Sequence, residues 1–266
     1  MAPTPPGQDP GAPDPAPGAA PAGLIWTRPP KQKRERPTRE AIVAAATGLA
    51  DTHGLDAVSI RKVAAALKTR PMDLYRDFAR KDELIDLMVD EVIAGAVLEE
   101  IPRDWRDALA AIARALRAVC LAHPWVVTAA GRQPLLGPNL MRHVEQSLQA
   151  TAATGLDQAK RYAIWRAVDS YTMGHTNNRP GQDHSEGSTA PDPGRPAAAG
   201  AYLQDLAGSG NFPNFAALGA ADLLHNDHDE LTFETGLGWL LTGIAADAQA
   251  TAPPSSPSRQ KLPGVS

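Results

Sequence analysis

Between Thr38 and Phe78, apolar residues recur at helical spacing in three short runs separated by turn signals. Ile42, Ala45, Ala46, Leu49 and Ala50 fall at offsets that place them on one face of a helix. Thr38 can cap its N-terminus, and Gly54, which reaches the left-handed region without strain, can close its C-terminus. Ser59 is the next capping residue, and Ile60, Val63, Ala64 and Leu67 repeat along a second, short helix. Lys68 and Thr69 then make a turn. Thr69 can cap a third helix, and Pro71 falls in its first turn, where no backbone donor is lost. Leu74 and Phe78 turn inward, while Arg70, Met72, Asp73, Arg76 and Asp77, with Tyr75 alongside, occupy the opposite face. The pattern predicts a helix-turn-helix whose last helix suits a major groove. Periodicity alone also allows any three-helix bundle with a solvated charged face.

The same periodicity continues downstream. Lys81 to Glu100 reads as one long helix opening with Asp82 and Glu83, whose charges suit its N-terminus; it connects the first module to the rest. Trp105 to Ala122 puts Leu109, Ile112, Ala113, Leu116 and Cys120 on one face, and His123-Pro124 stops it. Leu140, Val144 and Leu148 mark another helix. A further one from Asp157 carries Tyr162, Ala163, Trp165, Val168 and Tyr171, and Thr232 to Ala248 carries Phe233, Leu237, Leu240, Leu241 and Ile244. Residues 176 to 200 read as a long polar loop, and Ala201 to Ala207 as a short helix before another irregular stretch. No strand pattern occurs, so the expected fold is all-α: a three-helix DNA-binding module at residues 38–84 and a larger helical body at residues 85–250.

Composition adds the flanks. Residues 1–27 are rich in Pro, Ala and Gly and, like the tail 251–266, are expected to be disordered because they hold too little apolar surface to offset ordering entropy. Residues 28–37 form a basic arm. It reads either as a solvated charge run or as a segment following DNA into the minor groove.

Charge sharpens the first module. Residues 28–81 hold 13 Lys and Arg against 6 Asp and Glu, whereas residues 82–266 hold 13 against 22. The formal net charge of −4 therefore conceals a basic module on an acidic body, and a polyanion is attracted to the first alone. With 266 residues, 43% of them hydrophobic, the chain can build a substantial core. Cys120 is the single cysteine, which excludes an intrachain disulfide and a cysteine-based zinc site. No run has the roughly 20 apolar residues of a membrane span, and the N-terminus lacks a signal-peptide pattern, so the expected location is the cytoplasm, with no membrane partner.

Other chemistry is sparse. His225 and His228 lie three apart with carboxylates between them, a spacing a metal can use, but Asp227, Asp229 and Glu230 equally suit the start of the following helix. Gly236 and Gly238 lack the third glycine and preceding strand of a dinucleotide loop. No catalytic residue, metal or cofactor is assigned, and the chain is not expected to be an enzyme.

The stretch VSIRKVAAALKTRPMDLYRDFARKDELIDLM, with its LY-x-x-F-x-x-K-x-E-L pattern, resembles the DNA-binding domain of the TetR family of bacterial transcriptional regulators. The resemblance implies that Arg61, Thr69, Arg70, Met72, Asp73, Tyr75, Arg76 and Lys81 meet DNA. Of these, Arg61, Arg70, Met72 and Asp73 would approach bases, and Tyr75, Arg76 and Lys81 would hold phosphates. Lys68 occupies a turn position at which the family often has glycine. Residues 123–174 and the segment FETGLGWLLTGIAADA are similar to the C-terminal domain of the tetracycline-repressor branch. This implies an effector-binding body in which helices near Leu156–Met173 and Thr232–Ala248 pair with their mates in a homodimer, with Leu240 and Leu241 expected in the pairing face. That branch's drug–magnesium ligands are not reproduced: Ala130 stands in place of the histidine, and no Glu stands near Asn178.

A ligand pocket between helices is expected to involve Val97, Ile112, Leu116, Trp165, Asp169 and Met173, although residues of these types at helical spacing more often serve as plain core. Trp165 and Asp169, one turn apart, are the pair best suited to orient a ligand. The functional expectation is a transcriptional repressor that binds a palindromic double-stranded operator and is released by an unknown small-molecule effector. Two alternatives stand beside it: a DNA-binding regulator controlled by a protein partner or by none, and a helical small-molecule binder without operator affinity.

Overall fold

The first helix, α1 (Arg39–His53), starts where the Thr38 hydroxyl accepts the Ala41 N–H at 3.2 Å and ends at Gly54, whose φ is 79°. Ser59 caps α2 (Ile60–Ala66) by accepting from Lys62 N–H at 3.3 Å. The turn that follows is a Schellman closure: Lys68 N–H reaches Ala65 O at 3.0 Å and Thr69 N–H reaches Ala64 O at 2.9 Å. The geometry puts Lys68 at φ 52°, among the described residues the one non-glycine with a left-handed backbone. Thr69 is thus committed to ending α2. The N-cap of α3 (Pro71–Leu74) is Arg70 rather than the expected Thr69, and the Thr69 hydroxyl turns to Asp73 instead.

The structure, a computed structural model, describes residues 36–132, 136–177, 194–218 and 229–251. After α3 come α4 (Lys81–Ile93), α5 (Trp105–Ala122), α6 (Trp125–Arg132), α7 (Pro138–Ala150), α8 (Gln158–Asn177), α9 (Arg195–Gly208), α10 (Pro213–Leu218) and α11 (Asp229–Thr251). No strand occurs among the described residues, and no single helix there is long and apolar enough to cross a membrane.

Three departures from the expected elements have physical causes. The connecting helix does not run to Glu100: α4 ends at Ile93 and a 3₁₀ turn, Ala94–Ala96, follows. Beyond it the Gln146 side chain takes both backbone groups of Leu98, accepting its N–H at 3.0 Å and donating to its C=O at 2.7 Å, so those groups are not available to a helix. His123-Pro124 ends α5 as expected, but the chain restarts at once as α6, and the two helices meet at 103°. The irregular stretch near residue 210 contains α10, and α9 extends well beyond Ala201–Ala207; neither has a residue assigned to the buried core.

Two apolar clusters hold the chain together. The first runs from Ile42, Ala46, Val63 and Leu74 through Leu84, Met88 and Val92 of α4 to Leu116 and Cys120 of α5 and Trp125 and Val126 of α6. The second joins Leu109, Ile112 and Ala113 of α5 to Ile164 and Val168 of α8 and Phe233, Leu237 and Leu241 of α11. Arg117 of α5 secures the start of α11, with 2.6 Å to Asp229, 2.5 Å to Glu230 and its guanidinium 4.6 Å from the centre of the Phe233 ring. Asp90 of α4 caps α7 from outside by accepting the N–H groups of Asn139 at 2.8 Å and Leu140 at 3.1 Å. Gly137 permits this approach, since a Cβ there would lie 2.0 Å from an Asp90 oxygen.

The helix-turn-helix is tied to the body at both ends of α6. One oxygen of Asp51, on α1, accepts from His123 Nδ1 at 2.8 Å and from the indole N–H of Trp125 at 2.7 Å. At the other end Arg132 donates to Asp56 at 2.7 Å, which holds the Asp56 carboxyl below its usual range.

Two outcomes follow from these local geometries. Replacing Lys68 by Gly relieves the left-handed strain and raises stability by about 0.5–1 kcal/mol, less than the full strain because Gly gains entropy in the unfolded chain, whereas Val lowers it; denaturant midpoints read both. Asp51→Ala costs about 1–3 kcal/mol by leaving the buried indole N–H without its acceptor, and the same change costs less in a Trp125→Phe background. Equal costs in the two backgrounds would remove the indole bond from the account.

Candidate nucleic-acid interface and apolar cavity

The α2–turn–α3 segment is built to present side chains outward. Leu74 and Phe78 are buried beneath it, and α3 is a single turn because Pro71 starts it and the backbone relaxes into turns from Tyr75 onward. Arg61, Arg70, Met72, Tyr75 and Arg76 are exposed, with Met72 at 74% and Tyr75 at 48%; Thr69, Asp73 and Lys81 are half-buried. An unpaired methionine held this far into solvent stabilises nothing within the protomer.

Within this face Thr69, Arg70 and Asp73 form one unit. Arg70 Nε and Nη2 each donate to Asp73 at 3.2 Å, and the Thr69 hydroxyl adds a third bond at 3.2 Å. The Arg70 bonds pull the Asp73 carboxyl below its ordinary range, and Asp73 in turn raises the Arg70 guanidinium. The carboxylate therefore acts first as a bracket for the guanidinium fork, a group whose planar donors match the O6 and N7 edge of guanine.

The second feature is a cavity of about 910 Å³, open on one side and lined by five helices. Val89 and Ile93 of α4, Leu116 of α5, Val126, Val127, Ala130 and Gly131 of α6, Leu140 and Val144 of α7 and Met173 of α8 give it apolar walls. Such a volume lies within the range typical of small-molecule sites. One wall is polar. Asp169 accepts from Trp165 Nε1 at 2.7 Å, and His143 Nε2 lies 3.1 Å from both of its oxygens. Tyr162 stands edge-on to Trp165, with ring centres 5.3 Å apart, and the Arg166 guanidinium lies over the same indole. Burial, with the charge of Asp169 nearby, pushes the Cys120 thiol up to about 12, which keeps it protonated and inert.

Of the residues expected at a pocket, Leu116, Trp165, Asp169 and Met173 line this cavity. Ile112 does not: one turn before its cavity-lining neighbour Leu116, it belongs to the second apolar cluster, fully buried with Leu109 and Phe233. Val97 is also absent from the lining, because the chain has left the helix before it and turned to extended backbone. The cavity residues of α6 were hidden behind the helix stop at Pro124. His143 was hidden because α7 buries a polar stripe, His143 and Ser147, continued by Thr151 just past its end, rather than its leucines. Among the described residues no group of three His, Cys, Asp or Glu side chains is placed to hold a metal; His225 and His228 lie outside those residues.

Comparison with known proteins agrees with this arrangement. Residues 42–88 match the family model described as bacterial regulatory proteins, tetR family, and residues 99–248 match the tetracyclin repressor-like C-terminal domain. An HTH-type transcriptional regulator of Saccharopolyspora erythraea is 33% identical over 229 residues, covering 85% of this chain and 93% of the relative. The HTH-type transcriptional repressor DrrR1 of Streptomyces coeruleorubidus is 33% identical over 230 residues, covering 83% of each. The structure of ActR from Streptomyces coelicolor in complex with actinorhodin superposes with a TM-score of 0.65 at 28% identity, covering 80% of this chain and 98% of ActR. An exposed helix-turn-helix carried on an all-helical body, matched over both parts by family models and by relatives along most of its length, makes this chain a member of the TetR family of transcriptional regulators.

Proposed function

We propose that this chain is a repressor that binds a palindromic operator as a homodimer and is released by a small, largely apolar molecule held in the cavity. The observation that carries the reading is that α6 serves two sites. Its inner face lines the cavity with Val126, Val127 and Ala130, and its ends hold Asp51 and Asp56 of the DNA-binding module. A molecule seated against α6 can thus bias the position of the helix-turn-helix. Differential affinity sets the size of the effect: a hundredfold loss of operator affinity requires about 2.7 kcal/mol of coupling. The repressor name of DrrR1 and the ligand bound to ActR support the same reading. On this proposal residues 38–84 read DNA and residues 85–250 bind effector and dimerise.

The reading predicts how DNA binding responds to substitution. Selection of duplexes from a random pool returns an inverted repeat with half-sites about one helical turn apart, or a nearby spacing with bend. Arg61→Ala and Arg70→Ala each cost about 1–3 kcal/mol and relax base preference, whereas Lys81→Ala and Tyr75→Phe weaken binding to all sequences, the first also lowering the salt slope by about one. Titrations at several salt concentrations check this, and an unchanged slope for Lys81→Ala removes it from the phosphate contacts.

The dimer interface is assigned to the outer faces of α8 and α11. Ala159, Ala163, Ala167, Ser170 and Gly174 form an exposed uncharged stripe on α8, and Leu231, Thr235, Gly238, Thr242 and Ala246 form another on α11, beside Trp239 at 75% exposure. Small residues let helix backbones approach closely, and a solvent face without charge is unusual for a lone protomer. Leu241, expected in the pairing face, is instead buried inside the protomer and Leu240 packs on the same cluster, so substituting them would test the core. Ala167→Glu combined with Gly238→Glu leaves the protomer fold intact, since no atom lies within 4 Å of a Cβ at Gly238, and yields monomers in sedimentation; dimers that persist move the interface elsewhere.

A further inference from the structure

The polar wall of the cavity contains one atom that the fold leaves unused. His143 is fully buried on α7 and borders the cavity, yet its Nδ1 has no hydrogen-bond partner among the described residues. The opposite ring nitrogen, Nε2, is held between the two oxygens of Asp169 at 3.1 Å each. An ionised carboxylate only accepts, so Nε2 carries a ring proton, and in the neutral imidazole Nδ1 then presents a lone pair. Trp165 donates to the same carboxylate at 2.7 Å, which anchors Asp169 and through it the plane of the imidazole. Leaving a buried acceptor without a donor is costly, and most buried polar groups in folded proteins are paired.

We propose that His143 Nδ1 is the acceptor for a hydroxyl on the effector, so that the cavity selects apolar ring compounds carrying a hydroxyl over equally shaped compounds that lack one. This rests on the reading of the cavity as the effector site and specifies the ligand chemistry that the site takes. The apolar walls supply affinity with little discrimination, whereas a buried acceptor left unpaired penalises any ligand that cannot donate to it. Nδ1 is itself shielded from solvent, so the hydroxyl reaches it by parting the lining. Met141 and Met173 border the same cavity, and their unbranched side chains can repack around an incoming ring. Asp169 acts as a positioning residue: it fixes the tautomer that makes Nδ1 an acceptor and does not itself meet the hydroxyl.

The test uses 2-naphthol and 2-methoxynaphthalene, which share a ring system but differ in the donor, titrated into the full-length protein at neutral pH. Wild type is expected to bind the naphthol about tenfold more tightly. His143→Phe, which keeps a ring and removes both nitrogens, brings that ratio to about one while the ether still binds. His143→Gln, which retains a donor toward Asp169 and an acceptor beside it, restores part of the preference. Independently of any variant, the ¹⁵N resonance of His143 Nδ1 in wild type starts in the unprotonated range and moves upfield with the naphthol but not with the ether. Equal affinities together with an unmoved resonance overturn the hydroxyl assignment while the cavity reading stands. Failure of both compounds to bind overturns the cavity reading and the assignment with it.

Discussion

The helix-turn-helix cannot complete its own core, and the rest of the molecule follows from that constraint. Three helices as short as α1, α2 and α3 enclose little apolar volume, and a unit of that size is marginal alone. Their buried residues, Ile42, Ala46, Val63 and Leu74, continue without a break into Leu84, Met88 and Val92 of α4 and onward to Trp125 and Val126 of α6. The DNA-reading surface is therefore positioned by helices that belong to the body. The surface that stabilises it is also the surface through which it can be moved.

Magnitudes indicate which contacts matter most in that coupling. The Arg132–Asp56 pair is about half exposed on both sides, and such pairs contribute at most about 1 kcal/mol. The indole of Trp125 is buried, and leaving its N–H without Asp51 carries a larger penalty. Asp51 is thus the stronger tie between module and body, and Arg132 the adjustable one. Asp90 provides a third link, between α4 and the start of α7, where the backbone comes so close that only glycine fits at 137. All three ties border elements that line the cavity, so a rearrangement there reaches the DNA module through packed or hydrogen-bonded groups.

The cavity separates affinity from selectivity. Its lining is largely aliphatic and methionine, and on the proposed reading the His143–Asp169–Trp165 network restricts which polar group enters beside them. A network of this kind is costly when half satisfied, which is why the free nitrogen of His143 carries more information than the apolar residues around it. The outer stripes of α8 and α11 form a complementary case. Their small uncharged residues are exposed on the protomer and, on the proposed dimer, are the surface that another helix pair covers.

Helical periodicity, caps and turn residues by themselves determined the all-α class, the helix-turn-helix and the outward face of Arg70, Met72 and Tyr75, because these depend on residues within a few positions of one another; Lys68 stood out only through the family resemblance. The tertiary structure decided what depends on distant partners. Beyond the end of α4 at Ile93, Gln146 holds Leu98 out of any helix, a side chain acting across almost fifty residues of chain that no local propensity reports. α7 buries His143, Ser147 and Thr151 in preference to Val144 and Leu148, because hydrogen-bond partners on the same and neighbouring helices compensate the burial of polar groups. Ile112 and Leu116 share one helix face in sequence, yet α5 spans both apolar clusters, and one turn of helix carries the chain from the second cluster to the first. Hydrophobic spacing identifies which residues turn inward; which interior they meet is set by the packing of helices far apart in the chain.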